Sequence, residues 1–396
     1  MFIDELCAAL FGMLTLADSI INGNWKRYKV LWIAMAIMTF YALYSTQLGY
    51  NTPAYFALDW ILELKPIIPL LAILGIAPAF TPADKTILKN ISLVNATIMA
   101  VCLFGGRPLI VPVVFHPAYC GSIIFVSCMM YLYCSITPNG RIEKKDIFII
   151  MVYLAIGALC AKAKYYGIAI LTIYFLFIYK PGIMRQLKLK HGIAIVATVI
   201  LILVATWKKI DYYFLSGNSE TFDPEVIHSF ARPVLYATSG LILIDHFPFG
   251  SGLGSFATYA SQANYSNLYY EYGINRIHGL SPNMPDFICD AYYPSLAQFG
   301  VFGVFLFIML WVYLYGFLKL YVRISLTKYK YEFITGSLLI SFILIENLGS
   351  TLFTQSVGFA GLCLLGVIAG QAKSLKESSM VLLQPTSSSP SSQKKI

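Results

Sequence analysis

The feature that most constrains this chain is its succession of long apolar runs joined by short connections. The runs fall at about 6–21, 30–46, 66–80, 87–104, 118–136, 147–161, 166–179, 192–207, 297–317, 333–350 and 355–371. A helix crossing a bilayer needs roughly 20 mostly apolar residues. A soluble fold must cover itself with polar groups, and 12% charged residues beside 58% hydrophobic ones are too few for that. The sequence therefore predicts an all-α polytopic membrane protein with about 11 (10–12) transmembrane helices. Residues 1–207 read as an N-terminal bundle of about eight such helices. Residues 208–296 read as one large loop with short helices, residues 297–372 as C-terminal transmembrane helices, and residues 373–396 as a polar, disordered tail. The segment 51–65, with Asp59 and Glu63 one helical turn apart, fits either an interfacial helix or an extension of the third span.

The charge pattern supplies an orientation. With the N-terminus outside and the spans alternating, every inner connection is basic, holding Lys26, Arg27 and Lys29; Lys85 and Lys89; Arg141, Lys144 and Lys145; Lys180, Arg185, Lys188 and Lys190; Lys319, Arg323, Lys328 and Lys330; and the tail lysines. Basic residues collect on the cytoplasmic side of membrane proteins. The net charge of +9 is then a topology signal, and the long loop, which is net acidic, lies outside. Nucleic acid is excluded as a partner on the same ground. The eight cysteines fall mostly inside apolar runs and read as small membrane-compatible side chains, without disulfides or zinc spacing. Asp4 and Glu5 precede the first run where a signal peptide would carry basic residues, so no cleavable signal is expected.

Against that pattern, a few basic residues stand at the outer boundary. Lys162 and Lys164 occupy the short turn CAKAKYYG, and Arg107 the turn GGRPLIVP. They read as anion ligands or as anchors to lipid phosphates; an arginine fork suits a diphosphate. The loop is rich in tyrosine, which serves either sugar stacking or the membrane interface. Its stretch ARPVLYATSGLILIDHFPFGSGLGSF predicts a helix over about 233–244, followed by Asp245-His246 and a Gly250-Gly252-Gly254 run. That run could offer backbone N–H groups to a phosphate, but a tight turn returning the chain to the membrane is the favoured reading. Further on, Arg276, His278, Asp286 and Asp290 gather just before an apolar helix. On a helix Asp286 and Asp290 would share a face, and Asp290, His278 or Asp286 could take a proton from a sugar hydroxyl. Asp245, His246 and His228 are weaker candidates. Asp18 and Glu346 lie inside apolar runs, where a carboxylate needs a partner or a cavity, and Glu346 falls within reach of Lys164 or Lys162. No metal-ligand spacing and no nucleophile elbow is present, so a metal-independent site without cofactors is expected.

The order of these parts — the short turn AKAKYYG, the loop stretch RPVLYATSGLILIDHFPFGSGLGSF, then YPSLAQFGVFGVFLF opening a helix — resembles the O-antigen polymerase and ligase superfamily of bacterial inner-membrane proteins, with motif support over about residues 145–320. The resemblance implies a GT-C-like glycosyltransferase architecture with its site open to the periplasm and its C-terminus in the cytoplasm. It implies a polymerase that joins oligosaccharide repeats carried on undecaprenyl pyrophosphate in lipopolysaccharide biosynthesis, with a chain-length regulator as partner. Lys164 or Lys162 then matches the basic residue of the short outer turn and Arg232 the arginine that opens the loop motif. Arg232, Arg276, Lys164, Lys162 and Arg107 would bind the pyrophosphate. The ligases of the superfamily carry a His upstream of the final glycine pair, where this chain has Asp290, which favours polymerase over the alternatives of ligase or lipid-linked oligosaccharide flippase.

Overall fold

A computed structural model of the chain describes residues 3–114, 117–179, 204, 207 and 231–383. The connection 180–191, nearly all of the apolar run 192–207, the first part of the loop with His228, and the tail beyond 383 lie outside the described residues. So does the side chain of Arg107.

Every other apolar run falls on a helix. These are α1 (Ile3–Ile21), α2 (Lys29–Leu48), α3 (Pro53–Ile76), α4 (Pro82–Gly105), α5 (Arg107–Val114), α6 (Pro117–Cys134), α7 (Lys144–Ala158), α8 (Ala163–Ile173), α9 (Ala231–Asp245), α10 (Gly300–Ser325), α11 (Lys330–Glu346) and α12 (Ser356–Leu383). The described residues form no named strand. Four helical stretches are long and apolar enough to cross a membrane: Lys29–Leu48, Pro82–Gly105, Tyr293–Ser325 and Ser356–Ser378, or five if the bent pair α5 and α6 counts as one. The described residues are thus those of a helical membrane protein.

Local chemistry sets several helix limits. Thr81 caps α4, its hydroxyl accepting from the Asp84 N–H while the Asp84 carboxylate accepts from the Thr81 N–H. The segment 51–65 is the first part of the single helix α3, which continues through Pro66 and Pro69. Prolines are tolerated in a membrane helix whose neighbours re-satisfy the freed backbone groups. Helix α3 packs against α1, α2 and α12 at the centre of the bundle. Its charges are buried with it: Lys65 Nζ pairs with Asp4 and Glu5, each at 2.9 Å. Asp18, in the last turn of α1, accepts from the Tyr28 hydroxyl at 2.8 Å and from Asn22 and Asn24.

The helix ends gather at two ends of the bundle. At one end Arg27 donates to the carbonyls of Gly75 and Ile76, Gln371 to that of Pro78, and Gly140 packs on the backbone of Lys328. At the other end residues 231–299 form a cap with its own hydrophobic core, built on Leu235, Ile242, Phe256, Tyr269, Leu280 and Ile288. Asn51, just before α3, ties the cap down through the carbonyls of Gly254 and Asn264.

Candidate functional site

The cap, α8 and the end of α11 converge on one turn, residues 346–350. The turn closes on itself: the Gly349 N–H and the Ser350 hydroxyl both donate to the Glu346 carbonyl, at 3.1 and 2.9 Å. Asn347 Oδ1 accepts from the Phe353 N–H at 3.0 Å and fixes the exit. Its outward carbonyls then hold its neighbours. The Tyr236 hydroxyl, from α9, donates to Leu348 O at 3.0 Å. The Tyr292 N–H donates to the carbonyls of Asn347 and Ser350.

Two cations flank this turn. Lys164, in the first turn of α8, places Nζ 2.6 Å from Glu346 Oε2 and donates to the carbonyls of Glu346 and Gly349 at 3.0 and 3.2 Å. Arg232, in the first turn of α9, is ion-paired through Nη2 with Asp290 Oδ2. Its guanidinium lies against Gly349, where a Cβ would stand 3.3 Å from Cζ. Arg232 Nε is buried and meets no hydrogen-bond partner in the structure. The sequence-derived pairing of Glu346 with Lys164 is present. The pairing of Arg232 with Asp290 joins two further candidates that sequence alone left separate.

Next to this quartet an apolar cavity of about 450 Å³ runs between α9, α10 and α11, lined by Ser239, Leu243, Tyr293, Phe307, Trp311 and Leu344 among others. Tyr293 spans its edge by donating to the Leu344 carbonyl at 2.6 Å. A second cavity, of about 340 Å³, opens between α2, α3 and α10. It shares Leu296 and Phe307 with the first, and its one acid is Glu63, which accepts from the Tyr292 hydroxyl at 2.8 Å.

The remaining candidates stand apart. Asp286 and Asp290 do not share a helical face: residues 281–290 form successive turns, with the Phe287 N–H on the Gly279 carbonyl and Asp286 exposed. His278 is exposed, edge-on to Phe287, and Arg276 is exposed on the preceding turn. Asp245 accepts from Tyr272 at 2.8 Å, and His246 faces the Tyr50 ring. Both stand at the far end of α9, about 20 Å along the helix from Arg232. Lys162 caps α8 without a side-chain bond to its backbone. Cys289 is no thiolate nucleophile, since desolvation pushes its thiol up to about 12.

The glycine run is a turn, and its N–H groups serve the fold. Gly250, Gly252 and Gly254 all have positive φ. The Leu253 N–H donates to Ser45 Oγ at 2.6 Å, and the Gly254 N–H to Asp59 Oδ2 at 2.8 Å. A concavity of backbone N–H groups favours an anion, and here the anion is the protein's own Asp59. The residues that sequence reasoning missed are Asn347 and Gly349 of the turn; Tyr236 and Tyr292 stood out only as two of the many loop tyrosines, not as partners of this turn. The acids of α3 were visible as a pair, and charge inside an apolar stretch was the signal.

No protein-family model matches the chain, and no curated protein does.

Proposed function

We propose that this protein is a polyprenyl-diphosphate-dependent glycosyltransferase, an O-antigen polymerase that joins lipid-linked oligosaccharide repeats at the periplasmic face of a bacterial inner membrane. The observation that carries the reading is the juxtaposition of Arg232 and Lys164, both beside Gly349, with an apolar cavity lined by Leu344 and Tyr293, which stand two and three residues along the chain from Glu346 and Asp290. A diphosphate on an isoprenoid chain has the same two halves, an anionic head and a hydrocarbon tail. The sequence resemblance supplies the sugar chemistry. Under this reading the cap is periplasmic, the basic end of the bundle is cytoplasmic, and the spans number about 11 in a GT-C-like arrangement.

The chemistry follows from the charges. The acceptor hydroxyl of one repeat attacks C1 of the sugar on the donor lipid. The C1–O bond to the diphosphate breaks, and its electron pair leaves with undecaprenyl pyrophosphate. Arg232 and Lys164 stabilise the charge that develops on that leaving group. Asp290, the candidate base that lies against Arg232, takes the hydroxyl proton. The bond to the diphosphate supplies the free energy, so no nucleotide is needed outside the cell.

The test is the surface-glycan ladder of a deletion strain complemented with wild type or Arg232→Ala. The proposal expects the ladder from wild type and only core plus a single repeat from the variant, at equal membrane abundance. Loss of every repeat with accumulation of lipid-linked polymer would make the protein a ligase. A full ladder in the variant removes Arg232 from the site.

A further inference from the structure

The cavity between α2, α3 and α10 takes no part in the chemistry above, and its two ends differ. On α2 one stripe lines it at helical spacing, from Val30 through Ile33, Ala34, Ile37 and Met38 to Tyr41. The end nearer the cap is blind. Tyr41, Glu63 and Tyr292 are buried there, the Tyr41 hydroxyl donating to the Phe299 carbonyl at 2.6 Å and the Tyr292 hydroxyl to Glu63. Toward the other end the lining is open, with Val30, Ile33 and Met309 38%, 47% and 44% exposed. From Val30 to Tyr41 the groove runs about 16 Å along α2. Half of a bilayer's hydrocarbon core is about 15 Å, so the groove is as long as one leaflet's acyl chain.

The open end is basic and interfacial. Val30 follows directly on Lys29, and Lys26 and Arg27 precede it; all three cations are exposed. Arg27 is fixed in place by donating to the carbonyls of Gly75 and Ile76 at the end of α3. Trp25 is 48% exposed and lies against Trp32, and tryptophan collects where hydrocarbon meets headgroups. Asp18 also stands at this end, held by Tyr28, Asn22 and Asn24, and three cations outweigh it. We propose that this groove is a binding site for one anionic glycerophospholipid from the leaflet on the Lys29 side, with an acyl chain along α2 and its phosphate among Lys26, Arg27 and Lys29.

The charges also say which lipid does not belong. A polyprenyl diphosphate needs cations at the cap end, and there the lining carries the acid Glu63 and neither Arg232 nor Lys164. An acyl chain makes no polar demand on the blind end and leaves the bond between Tyr292 and Glu63 intact. Moving a chain from bilayer to groove brings no hydrophobic gain, because lipid tails are as apolar as the lining. Selectivity therefore rests on the headgroup, and each cation beside the surface favours an anionic lipid about fivefold. The groove ends against Tyr292, whose N–H holds the carbonyls of Asn347 and Ser350 in the turn of the site.

Native mass spectrometry of the full-length protein tests the site, with phosphatidylglycerol, phosphatidylethanolamine of the same chains, or undecaprenyl phosphate added to the delipidated sample. One phosphatidylglycerol is expected to be retained at least tenfold more tightly than phosphatidylethanolamine. Lys29→Gln should weaken phosphatidylglycerol about fivefold and leave phosphatidylethanolamine unchanged. Ile33→Trp, which fills the groove from its exposed side, should weaken both. Phosphatidylglycerol with a diazirine in its acyl chain should label residues 30–41 and 299–313. Equal retention of the two phospholipids, unchanged phosphatidylglycerol binding in both variants, or labelling confined to other helices overturns the proposal. Displacement of the bound phospholipid by undecaprenyl phosphate also overturns it and assigns the groove to a polyprenyl tail.

Discussion

Gly349 is the sharpest probe of where the Arg232 guanidinium works. Its φ is not among the positive values, so alanine there meets no backbone strain. Its added Cβ would stand 3.3 Å from both Cζ and Nη1 of Arg232 and 3.6 Å from Nη2. The first two distances are tight, and the guanidinium must yield by a few tenths of an ångström. Arg232 is one-third exposed and can yield, so stability should change by no more than about 0.5 kcal/mol. Catalysis is less forgiving, because a misplacement of about 1 Å can reduce a rate about 100-fold. A shift of a few tenths then corresponds to about a 3- to 10-fold loss, or roughly 1 kcal/mol of transition-state stabilisation. Gly349→Val should lose more. The assay is the rate of polymer formation from lipid-linked repeats by purified protein, with a thermal melt beside it. If both variants polymerise at the wild-type rate with unchanged melting, the guanidinium does not act from beside Gly349 and the placement of the site is wrong.

Other perturbations separate fold from function. Lys164→Met leaves the Glu346 carboxylate, 8% exposed, without its cation and should destabilise the protein by about 1–3 kcal/mol; adding Glu346→Gln should restore the melting temperature but not polymer formation. Gly250→Ala should abolish the folded peak in detergent size-exclusion chromatography, because its Cβ would stand 2.2 Å from the Gly300 N. Gly240→Ala, with nothing within 4 Å, should behave as wild type. In a background stripped of the eight native cysteines, Tyr270→Cys should react with a membrane-impermeant maleimide on intact spheroplasts and Lys328→Cys only after permeabilisation; the reverse pattern would invert the proposed topology.

The fold was legible where a single physical rule dominates. Apolar run length marked the helices, and the cost of a carboxylate among apolar residues pointed Glu346 toward Lys164 before any contact was known. Helix α3 was half legible, because Asp59, Glu63 and Lys65 lower the apolarity that marks a span, while the partners that neutralise Lys65 lie on α1. The cap was the least legible part. Arg232 and Asp290 are separated by 58 residues that carry no long apolar run beyond α9, so no periodicity could bring them together. The helical spacing proposed for Asp286 and Asp290 failed because the chain there is held by turn bonds, from Phe287 back to Gly279. The hub of the site, residues 346–350, acts through its carbonyls, and backbone groups have no sequence signature.

The cap contains two anion cradles, and exposure decides what each one does. In the glycine turn, the Gly254 N–H donates to Asp59, which is 1% exposed. Moving that carboxylate away would strand a buried charge and leave the Gly254 N–H only its longer bond to Gln298 Oε1, at 3.2 Å, a penalty of several kcal/mol. That cradle is therefore permanent, and it serves to fasten the cap to α3. The ion pair of Asp290 with Arg232 is about one-third exposed, so solvent screens it. Each bond sets a carboxylate on an N–H donor, and the difference lies in how far solvent reaches it. The glycine motif that looks most like a phosphate loop is thus structural, and the less conspicuous arginine thirteen residues before Asp245 belongs to the pair that solvent reaches.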